Sequence, residues 1–270
     1  MNEMDIKGIR LVYFSPTGTG KRIVKEIASV MKMDTNMIDL TPPNTNRHYK
    51  LGRDELVIFS TPVYEGRVPA TVINRLKMVK GDKTPAVIVV MYGNRAYEDA
   101  LLELRDTITK QGFSPIAGAA FIGQHSFSSE KTPIGAGRPD AMDLKKAHEF
   151  GLDVLKKMKS LDEFPVLMVP GNYPYSENTR ARTEAIRSGA HPVTDAATCN
   201  LCGICASVCP MGCVEVSDVV KTEVEKCMLC SACVQMCPTG ARRWEHEPLL
   251  RVAKWLSTQH GDRKEPEVFL

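Results

Sequence analysis

Eight of the nine cysteines fall into two runs of identical spacing, Cys199-x2-Cys202-x2-Cys205-x3-Cys209-Pro210 and Cys227-x2-Cys230-x2-Cys233-x3-Cys237-Pro238. Thiolates packed this densely along a chain are soft ligands, suited to zinc or to iron-sulfur clusters. A tetrahedral zinc site uses two Cys-x2-Cys pairs and stops. Zinc therefore leaves the third cysteine at the same interval, the x3-Cys-Pro ending and the duplication without a purpose. Disulfides are the weaker reading, because the first twenty residues lack a signal-peptide layout and clustered cysteines in a cytosolic chain read as metal ligands. The ninth thiol, Cys213, ends Pro210-Met211-Gly212-Cys213, where the second run has Pro238-Thr239-Gly240-Ala241. Its counterpart is alanine, so Cys213 reads as a small buried filler.

The spacing resembles that of bacterial ferredoxins, in which three cysteines of one run and the last of the other hold each cubane. Geometry agrees with the resemblance: thiolates at i, i+3 and i+6 on a tight turn face one cluster, and the proline after the fourth cysteine bends the backbone toward the neighbouring one. Two 4Fe-4S clusters are expected. Cluster I would be held by Cys199, Cys202, Cys205 and Cys237, and cluster II by Cys227, Cys230, Cys233 and Cys209.

A second chemical site lies near the start of the chain, in Ser15-Pro16-Thr17-Gly18-Thr19-Gly20 followed by Lys21. Ser15, Thr17 and Thr19 offer hydroxyls, Gly18 and Gly20 let the backbone approach closely, and a helix from Lys21 would present free N–H groups. That combination suits a phosphate monoester, with a plain strand-to-helix turn as the alternative. It is not a Walker loop, since Arg22 follows Gly20-Lys21 and Ser15 stands where the first glycine would be. Two later loops, Thr61-Pro62-Val63-Tyr64-Glu65-Gly66 and Tyr92-Gly93-Asn94-Arg95-Ala96-Tyr97, each join tyrosine to glycine. A flat ring could lie between such aromatic walls.

The elements that must position these loops follow from hydropathy. Apolar runs over residues 8–14, 35–40, 55–60, 86–92 and 115–122 read as strands. Helical spacing runs over 21–33, where Ile23, Val24, Ile27, Ala28 and Met31 share a face, and over 69–79, 97–111 and 140–159. Strand-helix alternation predicts an α/β fold with a doubly wound, parallel five-stranded sheet. Its ligands bind at the carboxyl ends of the strands, where all three loops fall.

With these loops in order, residues 8–160 resemble a flavodoxin. The resemblance implies FMN, its phosphate in the loop from Ser15 to Lys21 and its ring between Thr61, Pro62, Val63, Tyr64 and Gly66 on one side and Tyr92, Gly93, Asn94, Arg95 and Tyr97 on the other. One departure stands out: the family's phosphate loop usually ends in Thr, and here Gly20 is followed by Lys21. A flavodoxin-like part followed by a bacterial dicluster module, small and α+β, is similar to the flavodoxin-ferredoxin fusion proteins of anaerobes. Residues 134–140 and 169–175 also resemble that group. The expected organisation is a flavodoxin-like domain over 1–163, a connector over 164–190, a dicluster domain over 191–245, and a C-terminal helix with a frayed tail over 246–270.

Composition restricts the function classes. The chain has 270 residues, is 43% hydrophobic and 25% charged, and carries a net charge of +3, which is too mild to imply nucleic acid. No apolar run reaches membrane-spanning length, and a cytoplasmic protein is expected. Arg180, Arg182, Arg187, Arg242 and Arg243 flank the cysteine runs and read as solvated surface ahead of a docking patch. His125 and Ser126 follow the fifth strand; His125 reads as an ordinary loop histidine ahead of a proton donor. No G-x-G-x-x-G dinucleotide motif follows a strand. The leading expectation is a low-potential carrier passing single electrons between two 4Fe-4S clusters and FMN and on to a redox partner, a ferredoxin or another iron-sulfur or flavin enzyme. The alternative is an FMN-dependent reductase of a small organic substrate, fed by its own ferredoxin module. The sequence leaves the oligomeric state open.

Overall fold

A computed structural model describes residues 6–160, 165–176 and 186–270. Arg180, Arg182 and part of the expected connector lie outside the described residues. The first part runs β1 (Gly8–Tyr13), α1 (Thr19–Ser29), β2 (Thr35–Asp39), β3 (Tyr49–Leu51), β4 (Glu55–Pro62), α2 (Ala70–Leu76), β5 (Val79–Gly81), β6 (Thr84–Tyr92), α3 (Ala100–Thr109), β7 (Phe113–Ile122) and α4 (Ala141–Ser160). The strands β2, β1, β4, β6 and β7 lie side by side in that order and all pair in parallel. With the five numbered along the chain the order is 2-1-3-4-5, the flavodoxin-type winding, whose ligand crevice opens where the order reverses, beside the first strand. The short strands β3 and β5, which the hydropathy pattern does not reveal, pair with each other in a separate two-stranded parallel sheet.

Period-two alternation sends successive side chains of each central strand to opposite faces. Val12, Phe59, Ile88 and Val90 pack beneath α2 and α3 through Val72, Leu76, Leu101 and Leu104. Leu11, Ile58, Val87 and Val89 pack beneath α1 and α4 through Ile23, Ile27, Phe150 and Val154. Every residue of β6 is buried, as expected for a central parallel strand covered on both faces. Each large aliphatic or aromatic side chain taken from water in these layers contributes about 1.5–3 kcal/mol.

The cysteine-rich part follows as β8 (Val193–Thr194), α5 (Ile204–Ser207), β9 (Val214–Val216), β10 (Val220–Thr222), α6 (Ala232–Gln235) and β11 (Arg242–Arg243). The duplication in sequence is repeated in the backbone. Leu201 and Leu229 both have positive φ, as do Gly203 and Ser231 ahead of α5 and α6, and Gly212 and Gly240. A left-handed leucine costs about 1–2 kcal/mol, so its use at both equivalent positions marks a backbone shape that the two turns require.

One expectation is corrected. The chain beyond Gly261 is not frayed: after α7 (Glu247–Gln259) it forms β12 (Glu267–Phe269), which pairs antiparallel with β7 and makes the sheet six-stranded. Distant partners hold it. The Tyr97 hydroxyl donates to Glu267 at 2.8 Å, Asn94 Nδ2 donates to the carbonyls of His260 and Asp262, and Arg263 pairs with Asp140 at 2.6 Å. No helix among the described residues is long and apolar enough to cross a membrane.

Candidate functional site

At the carboxyl ends of β1, β4, β6 and β7 the structure encloses a cavity of about 560 Å³. Ser15, Thr17, Thr19 and Gly20 form one end of it. There Gly18, at φ 79°, takes the left-handed turn that carries the chain from β1 into α1, and the free N–H groups at the start of α1 follow. A Cβ on Gly20 would stand 2.5 Å from Ser60 Oγ, a buried hydroxyl with no hydrogen-bond partner. Hydroxyls converging on a helix N-terminus make an anion cradle that fits a phosphate monoester. Farther along, Pro62, Val63, Tyr64 and Gly66 face Tyr92, Gly93 and Arg95 across the cavity, a set suited to a flat ring.

Several residues singled out in the sequence serve elsewhere. Thr61 is buried and its hydroxyl donates to the carbonyl of Pro62. Asn94 and Tyr97 tether the C-terminal segment and are not in the cavity wall. Lys21 donates its backbone N–H to Ser15 Oγ at 3.2 Å, and its ammonium lies over the Tyr13 ring. Its side chain does not take the place of the missing threonine hydroxyl at the cavity wall.

His125 does line the cavity, against Gly93. Its Nδ1 accepts the Phe127 N–H at 3.0 Å, which leaves the proton of the neutral ring on Nε2. Burial, with Arg95 adding to it, lowers the His125 pKa to about 4. Burial also pushes the Tyr64 phenol well above its ordinary value, with the Cys230 thiol adding to the effect. At neutral pH both groups are uncharged, and neither is poised to give up a proton readily.

The loop that carries Tyr64 is anchored to α3 through Glu103. Arg67 forms a two-pronged pair with Glu103, at 2.8 and 2.7 Å, and the same carboxylate accepts the Val68 N–H. The far wall of the cavity was not legible in the sequence. Leu249, Val252, Trp255 and Leu256 of α7 close it on one side, and Met228, Leu229 and Cys230 of the second cysteine run on another.

The cysteines gather around two small cavities. One is lined by Cys199, Cys202, Cys205 and Cys237. The other is lined by Cys209, Cys227, Cys230 and Cys233, with Cys213 beside them. At Cys237 burial opposes ionisation, but the N–H groups of Arg242, Thr239 and Ala241 and the Thr239 hydroxyl bring the thiol down. At Cys209 the Cys213 thiol, 3.4 Å away, and the N–H groups of Cys213, Met211 and Gly212 bring the thiol down against the opposing effect of burial. Cys213 is itself held protonated by its bonds to Cys209 and Cys227. The Cys-Pro-x-Gly turn thus supplies N–H donors that stabilise a thiolate, as cluster ligation requires. Cys202 is exposed, whereas Cys230 is buried and lies in the walls of both its own cysteine cavity and the large one.

Residues 198–241 match the 4Fe-4S dicluster domain family. No match is found among curated proteins. Among solved structures, a flavodoxin from the domain Archaea is 13% identical and covers 56% of this chain and 99% of its own, with a TM-score of 0.37. The flavodoxin of Fusobacterium nucleatum bound to flavin mononucleotide is 17% identical over 56% of this chain and 98% of its own, with a TM-score of 0.39. A flavone reductase is 10% identical over 65% of this chain and 70% of its own, with a TM-score of 0.42. The chain combines a flavodoxin-like α/β part, defined by its own strand order, with a 4Fe-4S dicluster domain.

Proposed function

We propose that this chain is an electron-transfer protein that carries two 4Fe-4S clusters and FMN, and that it passes single electrons between them and on to a redox partner, a ferredoxin or another iron-sulfur or flavin enzyme. The observation that carries the reading is the place of Cys230, a wall residue of both the cavity with the phosphate cradle and the inner cysteine cavity. FMN, when bound, exchanges one or two electrons and so matches one-electron clusters to two-electron chemistry. Ser15, Thr17, Thr19 and the start of α1 would hold its phosphate, and Pro62, Val63, Tyr64 and Gly66 with Tyr92, Gly93 and Arg95 its ring. The side chains of α7 cover that ring site. The exposed Cys202 is then the side on which a partner meets the chain, with the set around Cys199 as cluster I and the set around Cys230 as cluster II.

The alternative, reduction of a small organic substrate at the flavin, needs a proton donor in the cavity. His125 is held neutral and Tyr64 is held protonated, while Tyr97 is tied to Glu267 away from the wall. This supports the carrier over the reductase. Anaerobic purification with iron, sulfide and flavin assays tests the reading. About eight irons and one FMN per chain are expected, and fewer than about seven irons would refute the two-cluster claim.

A further inference from the structure

The two cysteine runs continue alike and then part: Gly212-Cys213 is followed by Val214, and Gly240-Ala241 by Arg242. A guanidinium stands where the twin repeat has an isopropyl group. It is not on the surface, as the sequence suggested, but only 3% exposed. Nη1 donates to Thr194 Oγ1 at 2.8 Å, and Nη2 to Thr222 Oγ1 at 3.0 Å and to Cys233 Sγ at 3.7 Å. No carboxylate is among these partners, and Nε has none among the described residues. Arg242 also lines both cysteine cavities, and its own N–H bonds the Cys237 thiol.

A buried cation without a counter-charge costs several kcal/mol, and chains keep one only where an anion offsets it. The anions this position can meet are the cluster thiolates on either side. We propose that Arg242 is the shared counter-charge of the two clusters and makes cluster II the easier of the two to reduce, so that an electron received at exposed cluster I moves inward. The inference rests on the two-cluster reading. One electron from an external iron-sulfur donor adds one negative charge to a cluster. A fixed positive charge in a poorly polarisable interior stabilises that reduced state and raises its potential. The Nη2 bond to Cys233 adds this stabilisation on the cluster II side. On the cluster I side the backbone N–H at Cys237 survives any substitution of the side chain.

The test compares the anaerobic holoprotein with Arg242→Gln, Arg242→Val and Arg242→Lys, using iron content to check assembly and redox titration followed by electron paramagnetic resonance. In the unaltered protein two separate reduction steps are expected. In the Gln and Val variants the upper step falls by at least tenfold in its equilibrium constant, about 59 mV for one electron, and closes on the lower step. In the Lys variant, which keeps the charge without the fork, the fall is smaller. Fully loaded Gln or Val variants with unmoved midpoints, or with the lower step moving more, overturn the proposal. If those two variants lose iron, the Lys variant decides: a lowered upper step supports the proposal, and an unchanged one refutes it. Low iron in the unaltered protein overturns the two-cluster reading itself, so the two failures are distinguishable.

Discussion

Arg75, on α2 of the α/β part, donates from Nη2 to the backbone carbonyl of Pro210 at 2.6 Å, directly after the fourth cysteine of the first run. The same guanidinium reaches the carbonyls of Leu40 and Thr41 through Nη1. A single side chain thus ties the turn that follows Cys209 to the loops around the phosphate cradle.

Replacing Arg75 by Met leaves three carbonyls without that donor. The expected cost is about 3 kcal/mol in denaturant unfolding. Cluster and flavin contents should stay near those of the unaltered protein, while the rate of flavin reduction through the clusters falls, as stopped-flow absorbance would record. An unchanged rate would remove Arg75 from the docking of the two parts.

His125 makes stability depend on pH. In the unfolded chain its imidazole binds a proton near pH 6.5, and in the folded protein only near 4. Its contribution is therefore complete above pH 6.5 and is lost as pH falls toward 4, at about 1.4 kcal/mol per unit, or about 2 kcal/mol by pH 5. Urea midpoints at pH 7 and pH 5 should show this slope, and His125→Gln should remove it.

A methyl group at position 93 would collide with the His125 ring at the edge of the cavity. Gly93→Ala should weaken FMN binding tenfold or more, read by quenching of flavin fluorescence, with iron content unchanged. Equal affinity would place the ring site elsewhere.

The crossed cysteine sets predict which cluster each variant damages. Cys237→Ser should perturb the cluster shared with Cys199, Cys202 and Cys205, and Cys209→Ser the one beside the flavin cavity. Only the second should alter electron exchange with the flavin while sparing the exposed cluster's reaction with an external donor. The reverse assignment in paramagnetic resonance spectra would sink the crossed ligation.

A chain ended at Gly261 loses β12, the Glu267 partner of Tyr97 and one partner each of Asn94, Arg138 and Asp140. A loss of about 3 kcal/mol is expected, lowering the melting temperature by about 10 °C, together with weaker flavin binding. A melting temperature within a degree or two of the full chain would mean that the strand contributes little.

Much of this was legible in local pattern. Continuous apolar runs and period-3.6 hydropathy located the five parallel strands and the helices between them, because burial on both faces makes a strand apolar throughout and burial on one face gives a helix its period. The hydroxyl-lined end of the cavity was legible in Ser15, Thr17 and Thr19, because a strand-to-helix loop carries its small and hydroxyl residues in a row. Asn94, Tyr97 and Lys21 looked like site residues for the same reason, since they adjoin the cradle and ring loops. Their side chains are drawn off by partners up to about 170 positions away, Glu267 for Tyr97 and His260 and Asp262 for Asn94.

The chain's own order determined the two cysteine repeats and the alternation of strand and helix, since each depends on near neighbours. Tertiary packing alone decided that Cys230 forms a wall of the large cavity, that α7 closes it, and that Arg242 lies between two nests of thiols. These are contacts between segments far apart along the chain. They are selected by how apolar faces and buried charges are satisfied in the folded whole, which no local spacing records.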